Sequence, residues 1–572
     1  MMYELLEEIN QIRASHKLIL GDFNLPNINW RNNSAADRKS EKFLDTIQRF
    51  YWTQHTLEPT RARGTNTPSV LDLIMTEDEN NIDNLVYESP LGKSDHCLIN
   101  FNYNCYSLHN STSYLKYFFD KGDYTSFNRV FQADWDSAEE SGEMDGVGPE
   151  ELWKIFLRIY YKNLEEHVPS KVISNGGKKW TIPLDTKLRE KIREKHRAWR
   201  KFMRNKNDEN QRAYIKCRNF IRNQTRKIRN NYEKNIAMEA KVNPKKFWSY
   251  VKSKTKIKQE LPELITTEGT AKSDQEKADA LNAFFASVFV KEPGENIPSL
   301  ESRTVASLQD VDFNEDIILK KMKQLKIGKS PGPDQIHPRV LKECAEAFKK
   351  PLKKIFISSF ESGKLPEDWK QAEVCAIFKK GSRKSCNNYR PVSLTSIVCK
   401  LMESIIRDVL MSYILNNDLL SPKQYGFVTG RSTVLQLLHV LDKWTEALDN
   451  GEQIESIYMD FQKAFDTVPH RRLLRKLQSY GIKGKLLRWL QDFLSNRQQK
   501  VKVNRSLSSA TSILSGIPQG SVLGPMLFIF FINDLPDDIK SEVLLFADDT
   551  KLYRKIDPTK DDGDDELQRD LD

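Results

Sequence analysis

Cysteine is scarce and scattered in this chain. The seven residues, Cys97, Cys105, Cys217, Cys344, Cys375, Cys386 and Cys399, are odd in number and contain no Cys-x-x-Cys spacing. A disulfide framework and a cysteine-built zinc site are thereby excluded, and a reducing compartment is suited. No apolar run approaches the ~20 residues that span a bilayer. The N-terminus, Met1-Met2-Tyr3-Glu4-Leu5-Leu6-Glu7-Glu8, is acidic and amphipathic, unlike a signal peptide. These absences predict a soluble intracellular protein with no membrane partner.

Acidic residues are lacking in one segment only. From Lys178 to Lys258 there are 27 Lys+Arg against 7 Asp+Glu, whereas the 572-residue chain carries +10 in total. The remainder is therefore net acidic, and the excess points to a polyanion, because neutralised phosphates release counterions. Leu188, Ile192, Trp199 and Met203 recur at helical spacing, as do Tyr214, Cys217, Ile221, Ile228 and Tyr232 after the polar break 205–211. The pattern predicts a helical hairpin with a thin apolar stripe. Interleaved aromatics favour a nucleic-acid-binding element over a merely solvated face, with Arg193, Arg197, Arg200, Lys201, Arg218, Arg222 and Arg226 as its contacts. No sequence-reading motif accompanies them, so contact should be with the backbone.

Hydrophobic residues at 39% and aromatics at 10% are enough to build several cores, roughly three or four domains for this length. Residues 1–103 read as α/β. Strands Lys17-Leu18-Ile19-Leu20 and Val70-Leu71-Asp72-Leu73-Ile74-Met75 and the segment Ser94-Asp95-His96-Cys97 each place polar residues at a strand end, where side chains converge on one sheet edge. Taken singly, Asp22 or Asp72 is as consistent with an ordinary turn. Residues 104–177 read as a mixed linker with an acidic loop at 134–151. From residue 271 a second globular unit begins, with a helix over 272–290 started at Ser273/Gln275, a rigid basic turn at 328–334, and helices over 338–344 and 351–362.

Strand Ile454–Phe461 carries Asp460 near its end. Farther on, Val543-Leu544-Leu545-Phe546-Ala547-Asp548-Asp549-Thr550-Lys551-Leu552-Tyr553 reads as a hairpin with two carboxylates at its tip. Between them lies Gly516-Ile517-Pro518-Gln519-Gly520, a tight turn opening an apolar helix. Alone, the Ala-Asp-Asp tip reads as a solvated turn. With Asp460 it supplies the oxygen-only donor set that two-metal nucleotidyl transfer requires, for two Mg²⁺ ions or Mn²⁺ in their place.

These motifs carry a resemblance. "YMDFQKAFDTVPH", "SGIPQGSVLGPMLF", "FADDTKLY", "KSPGPD", "IFKKG" and "NYRPVSL" resemble the reverse transcriptases of non-LTR (LINE-type, jockey-like) retrotransposons. "GDFN", "LDLI" and "SDH" resemble the later half of the endonuclease/exonuclease/phosphatase family. The resemblance implies Asp460, Asp548 and Asp549 as catalytic metal ligands, Phe465 as the gate against a ribose 2′-hydroxyl, Gln519 and Gly520 beneath the nascent base pair, and Lys379 and Arg390 on the triphosphate. It implies a structural role at most for Asp466. In the nuclease it implies that Asp22 and Asn24 activate water, that Asp95 binds metal, that His96 stabilises phosphate charge, and that Asp72 orients His96.

The expected fold class is α+β multidomain: a partial α/β nuclease sandwich (1–103), the mixed linker (104–177), a basic helical segment (178–258), reverse transcriptase N-terminal extension and fingers (271–365), and truncated fingers and palm (366–572). Lacking the family's early nuclease strands, the nuclease half is expected to be inactive, and the polymerase is expected to stop before its thumb. Residues 561–566 are expected to lead into a further palm helix. Expected partners are an RNA template, a DNA primer or target and deoxynucleoside triphosphates; the oligomeric state stays open, and nucleus and cytoplasm are the family's compartments. An RNA-dependent RNA polymerase and a catalytically dead nucleic-acid-binding remnant are the alternatives.

Overall fold

The structure is a computed structural model that describes residues 2–12, 14, 16–62, 67–92, 94–104, 114–173, 185–241, 244–254, 261–267, 269–292, 297, 299–557 and 566–572. The chain forms two compact units, Met1–Ser113 with Ser174–Lys258, and Tyr114–Ile173 with Gln259–Asp572. Among the described residues no helix is long and apolar enough to cross a membrane.

In the first unit, strand Leu18–Asp22 pairs antiparallel with Asp72–Thr76 in the register Leu18↔Thr76 to Asp22↔Asp72. Two carboxylates therefore finish at the same sheet edge. Helix Arg38–Arg49 closes one face, burying Phe43, Leu44 and Ile47 against Leu73, Met75, Trp30 and Trp52. Its cap, Asp37, accepts from the Ser40 N–H and hydroxyl, the Asn27 side-chain amide and the Lys39 N–H, and these bonds, Ser40's foremost, hold its carboxyl down at about 2. A second pair, Ile82–Glu88 with Leu98–Tyr103, follows. Helices Thr186–Arg204 and Asp208–Glu239 form the expected hairpin. The break between them is shorter than the sequence suggests, because Asn207 caps the second helix by accepting from the Asn210 N–H.

In the second unit, residues 114–173 are no linker. Helices Tyr124–Glu140 and Pro149–His167 pack on helix Ala345–Ser362 through Phe127, Phe131, Trp135, Trp153 and Phe156. Phe131 meets Phe348 edge-on at 4.6 Å, and Trp153 meets Trp369 at 5.4 Å. The supposed acidic loop is helical as far as Glu140. Phe127, Phe131 and Trp135 repeat every four residues, an amphipathic spacing that the acidic residues between them mask in the sequence. The expectations for residues 105–113, for 174–177 and for the acidic run 561–565 lie outside the described residues.

Two helix starts also differ from expectation. The helix expected over 272–290 spans Asp274–Ala286, and Ser273 forms its capping box with Glu276 rather than Gln275. The helix expected from Pro351 begins at Ala345 and carries Pro351 inside it. An interior proline costs a helix about 3 kcal/mol. Burial of Phe348, Leu352, Ile355 and Phe356, at ~1.5–3 kcal/mol each, outweighs that.

Besides two short strand pairs, the unit has two larger sheets among the described residues. Strand Gln371–Phe378 lies between Tyr389–Leu394, antiparallel, and Gln498–Val503, parallel. Strand Asp549–Ile556 lies between Gln453–Asp460 and Glu542–Phe546. The second sheet is covered on both faces, by Val543, Leu545 and Leu552 with Leu567 on one and by Leu544 and Tyr553 with Val440 on the other. The uninterrupted apolar run Val543–Phe546 follows from that two-sided burial.

The basic turn at 328–334 exposes Gly328, Lys329 and Ser330 and is anchored at Asp334. Asp334 is 6% exposed, and burial pushes its carboxyl up to about 6. Its Oδ1 accepts from the Ile336 N–H at 3.4 Å, and Oδ2 has no hydrogen-bond partner among the described residues. A raised carboxyl penalises the folded state above its pKa, and the penalty is relieved as pH falls from about 6 towards the ordinary 3.8. Asp334→Asn keeps the acceptor and removes the charge. Denaturant unfolding should show it more stable than the parent by up to about 3 kcal/mol at pH 7.5 and indistinguishable near pH 4.

Candidate active site

The acidic tip is built by register. Asp460 closes strand Gln453–Asp460 directly opposite Asp549, and Phe546 pairs with Asp549 across the hairpin, which leaves Ala547 and Asp548 as a two-residue turn. Ala547 has φ +57°, the left-handed conformation that tight hairpins use at this position. Asp548 is half-buried, and Asp460 and Asp549 are exposed. Partial burial, then the negative charges of Asp548 and Asp460, raise the Asp549 carboxyl, and Lys379 opposes them. The three carboxylates bring no thiol or imidazole, the donor chemistry that a hard divalent cation prefers, and their ligand atoms are not gathered as closely as those of the Asp22–Asp72–His96 cluster.

A cleft of about 640 Å³ gathers the rest. Lys379, Arg390, Asp460, Phe465, Gln519, Gly520 and Asp548 all line it, whereas Asp549 takes its place through the pairing with Asp460. Lys379 and Arg390 come together because Arg390 pairs with Ile377 across the strands and the Lys379 N–H bonds the Asn388 carbonyl at 2.9 Å. Phe465 stacks on Phe528 at 4.6 Å and meets Phe427 edge-on at 6.4 Å, so the core grips one face of the ring while it still lines the cleft. Gly520 has φ +118°, and a Cβ there would stand 2.5 Å from the Ser393 carbonyl oxygen. Only glycine fits.

Asp466 does more than the sequence suggests. Its Oδ1 accepts from the Gln519 side-chain amide at 2.8 Å, which aims Gln519, and burial raises its carboxyl. Sequence reasoning missed a second support. The segment Lys423–Gly426 runs beside the acidic hairpin, with Tyr425 N–H to Leu545 O at 2.8 Å and Leu545 N–H to Lys423 O at 3.0 Å. Fully buried Gln424 accepts from the Gly426 and Ala547 N–H groups at 2.7 and 3.0 Å, fixing the turn that bears Asp548. Buried Glu403 likewise accepts from Val522 and Leu523 at the start of helix Gly524–Ile532. A buried Gln or Glu inside an otherwise unremarkable stretch leaves no periodic signal. The one usable cue was Gln424-Tyr425-Gly426, whose glycine follows an aromatic next to a turn.

The first unit holds a separate cluster. Asp22, Asp72 and His96 bring three ligand atoms within 4.8 Å of one another, a spacing found in no other such group among the described residues. His96 Nδ1 bonds Asp72 Oδ2 at 2.8 Å, and its Nε2 lies 3.8 Å from Asp22 Oδ2. Asn24 has φ +49°, and its N–H donates to Asp22 Oδ1. The Asp95 carboxylate accepts from Arg61 Nε at 3.0 Å, a bond that holds it below the usual range. Of the basic residues, Arg193, Arg197 and Arg200 line a common cleft, Lys201, Arg222 and Arg226 are exposed, and Arg218 lies over the Tyr214 ring.

Residues 377–567 match the family model described as reverse transcriptase (RNA-dependent DNA polymerase), and residues 1–100 match that of endonuclease-reverse transcriptase. A probable RNA-directed DNA polymerase from transposon BS of Drosophila melanogaster is 28% identical over 66% of this chain and 44% of its own length. The RNA-directed DNA polymerase from mobile element jockey of the same fly is 32% identical over 41% of this chain and 26% of its own. The Pol polyprotein from type-1 retrotransposable element R2 of Popillia japonica is 27% identical over 34% and 29%. The chain spans less than half the length of these relatives. By its two domain matches and its relatives, the chain is similar to the RNA-directed DNA polymerases of jockey-like and other non-LTR retrotransposons.

Proposed function

We propose that residues 259–572 carry an RNA-directed DNA polymerase site, in which a primer 3′-hydroxyl attacks a deoxynucleoside triphosphate and pyrophosphate leaves. The observation that carries this reading is the cleft joining carboxylates, two cationic side chains and a bulky ring within one wall set. Asp460, Asp548 and Asp549 would hold two divalent cations, Mg²⁺ in the first instance, which supply activation of the hydroxyl and neutralise the pyrophosphate when bound. Lys379 and Arg390 orient the triphosphate, with the Arg390 guanidinium suited to bidentate phosphate contact. Gln519, aimed by Asp466, supports the base pair, and Gly520 lets the chain approach it closely. Phe465, braced by Phe528, occupies the space that a 2′-hydroxyl would need.

Primer extension on an RNA template with Mg²⁺ and deoxynucleotides tests the reading. Extension is expected, and its absence with duplex binding retained would favour a purely nucleic-acid-binding role. The gate has its own test: Phe465→Ala should raise incorporation of ribonucleotides relative to deoxynucleotides by about 10–100-fold. An unchanged ratio would remove Phe465 from the specificity role and bring the RNA-polymerase alternative back.

A further inference from the structure

The basic hairpin is built onto the sheet unit that carries Asp22, Asp72 and His96. Trp199, Phe202 and Tyr214 are each under 9% exposed and pack around one another, with Trp199 and Tyr214 5.1 Å apart. They close on Ala62 and the edge of Cys97. Those two residues flank Arg61 and His96, and they are tied in by Ala62 N–H to Asp95 O and Cys97 N–H to Thr60 O. A second anchor is His196, whose Nδ1 lies 3.1 Å from the hydroxyl of fully buried Ser89. Three of the interleaved aromatics that the sequence suggested for binding nucleic acid, Trp199, Phe202 and Tyr214, are thus spent on docking the helices.

What remains for a ligand is charge. Arg193, Arg197 and Arg200 are exposed along one face of helix Thr186–Arg204 and, with Glu190 and His196 of the same helix, line a cleft of about 520 Å³ opposite Val86, Tyr87 and Glu88, so that three guanidinium groups outnumber two carboxylates. From the first to the third arginine the helix rises ~10 Å, which matches about three phosphate-to-phosphate steps at ~3.4 Å of axial rise along one strand. The ring of Tyr87 belongs to the cleft wall, and its hydroxyl accepts from the Leu57 and Glu58 N–H groups. The exposed aromatics Phe220 and Trp248 stand on other helices. A row of guanidinium forks without a stacking ladder fits a regular phosphate backbone rather than splayed bases.

We infer that the Arg193–Arg197–Arg200 face is a docking surface for the phosphate backbone of duplex DNA, held by the unit that bears the Asp22–Asp72–His96 cluster. This goes beyond the polymerase reading and stands whether or not the chain extends primers. The test titrates the full chain against a fluorescent 30-base-pair duplex and the matching single strand over a series of salt concentrations. Each phosphate that an arginine neutralises adds ~0.9 to the log–log salt slope. Arg193→Gln/Arg197→Gln/Arg200→Gln should therefore flatten the slope for the duplex by about 2.7, and Arg197→Gln alone by about 0.9. Duplex affinity should fall by at least ~10-fold in the triple variant, more than for the single strand, with thermal unfolding unchanged because the three side chains are exposed. An unchanged duplex slope would overturn the proposal, and so would a weakening confined to the single strand.

Discussion

Asp548→Ala is expected to reduce primer extension by about 10³-fold or more, against a wild type assayed on the same RNA template. The turn that carries Asp548 is fixed by register on both sides and by the Gln424 bond to Ala547, so the substitution removes a carboxylate without unfolding the hairpin. A lost cation-holding group forfeits several kcal/mol of charge stabilisation at the transition state, and ~4 kcal/mol corresponds to about 10³ in rate. Folding should be unharmed, because removing one of three repelling carboxylates relieves the repulsion that raises Asp549. Single-turnover extension, with thermal unfolding as the control, checks both halves. Equal extension by the two proteins would leave the acidic tip as a solvated turn.

Gly426→Val should cost nearly as much without touching a carboxylate. A Cβ at Gly426 would lie 2.3 Å from the Ala547 nitrogen and 2.9 Å from the Phe546 carbonyl carbon, both of them backbone atoms that cannot turn aside. Relief requires the hairpin tip to move away from the Lys423–Gly426 segment, and overpacking of this kind typically costs about 1–3 kcal/mol of stability. A displacement of about 1 Å at reacting groups is worth ~10² in rate. The expected result is a loss of about 10²-fold in extension, with a stability loss too small to unfold the protein. If extension survives, the segment is not what sets the position of Asp548.

The chemistry at the tip was readable because short contiguous motifs carry it. A strand-end Asp460, a hairpin with Ala547-Asp548 at its turn and the Pro518-Gln519-Gly520 turn each declare themselves by local pattern. The supports of the site were not readable. Gln424 lies more than a hundred positions from Asp548, Glu403 serves Val522 from equally far away, and Asp466 reaches Gln519 only across a fold. A hydrogen bond between distant positions leaves no period in either segment. The same holds for Phe127, Phe131 and Trp135, whose partners Phe156 and Phe348 lie in other helices.

By itself, then, the sequence determined the donor types, the order of the motifs and the local elements that present them, because turns, strand ends and helical stripes are set by neighbours within a few residues. Only the tertiary structure decided three further things. It placed Lys379, Arg390, Phe465 and Gln519 in the same cleft as Asp460 and Asp548, made residues 114–173 part of the second unit's core, and turned Trp199, Phe202 and Tyr214 of the basic hairpin inward, leaving Arg193, Arg197 and Arg200 outside. Each of these depends on which apolar surfaces find one another, and burial is non-directional, so partner choice is settled by the packed whole rather than by any one stretch.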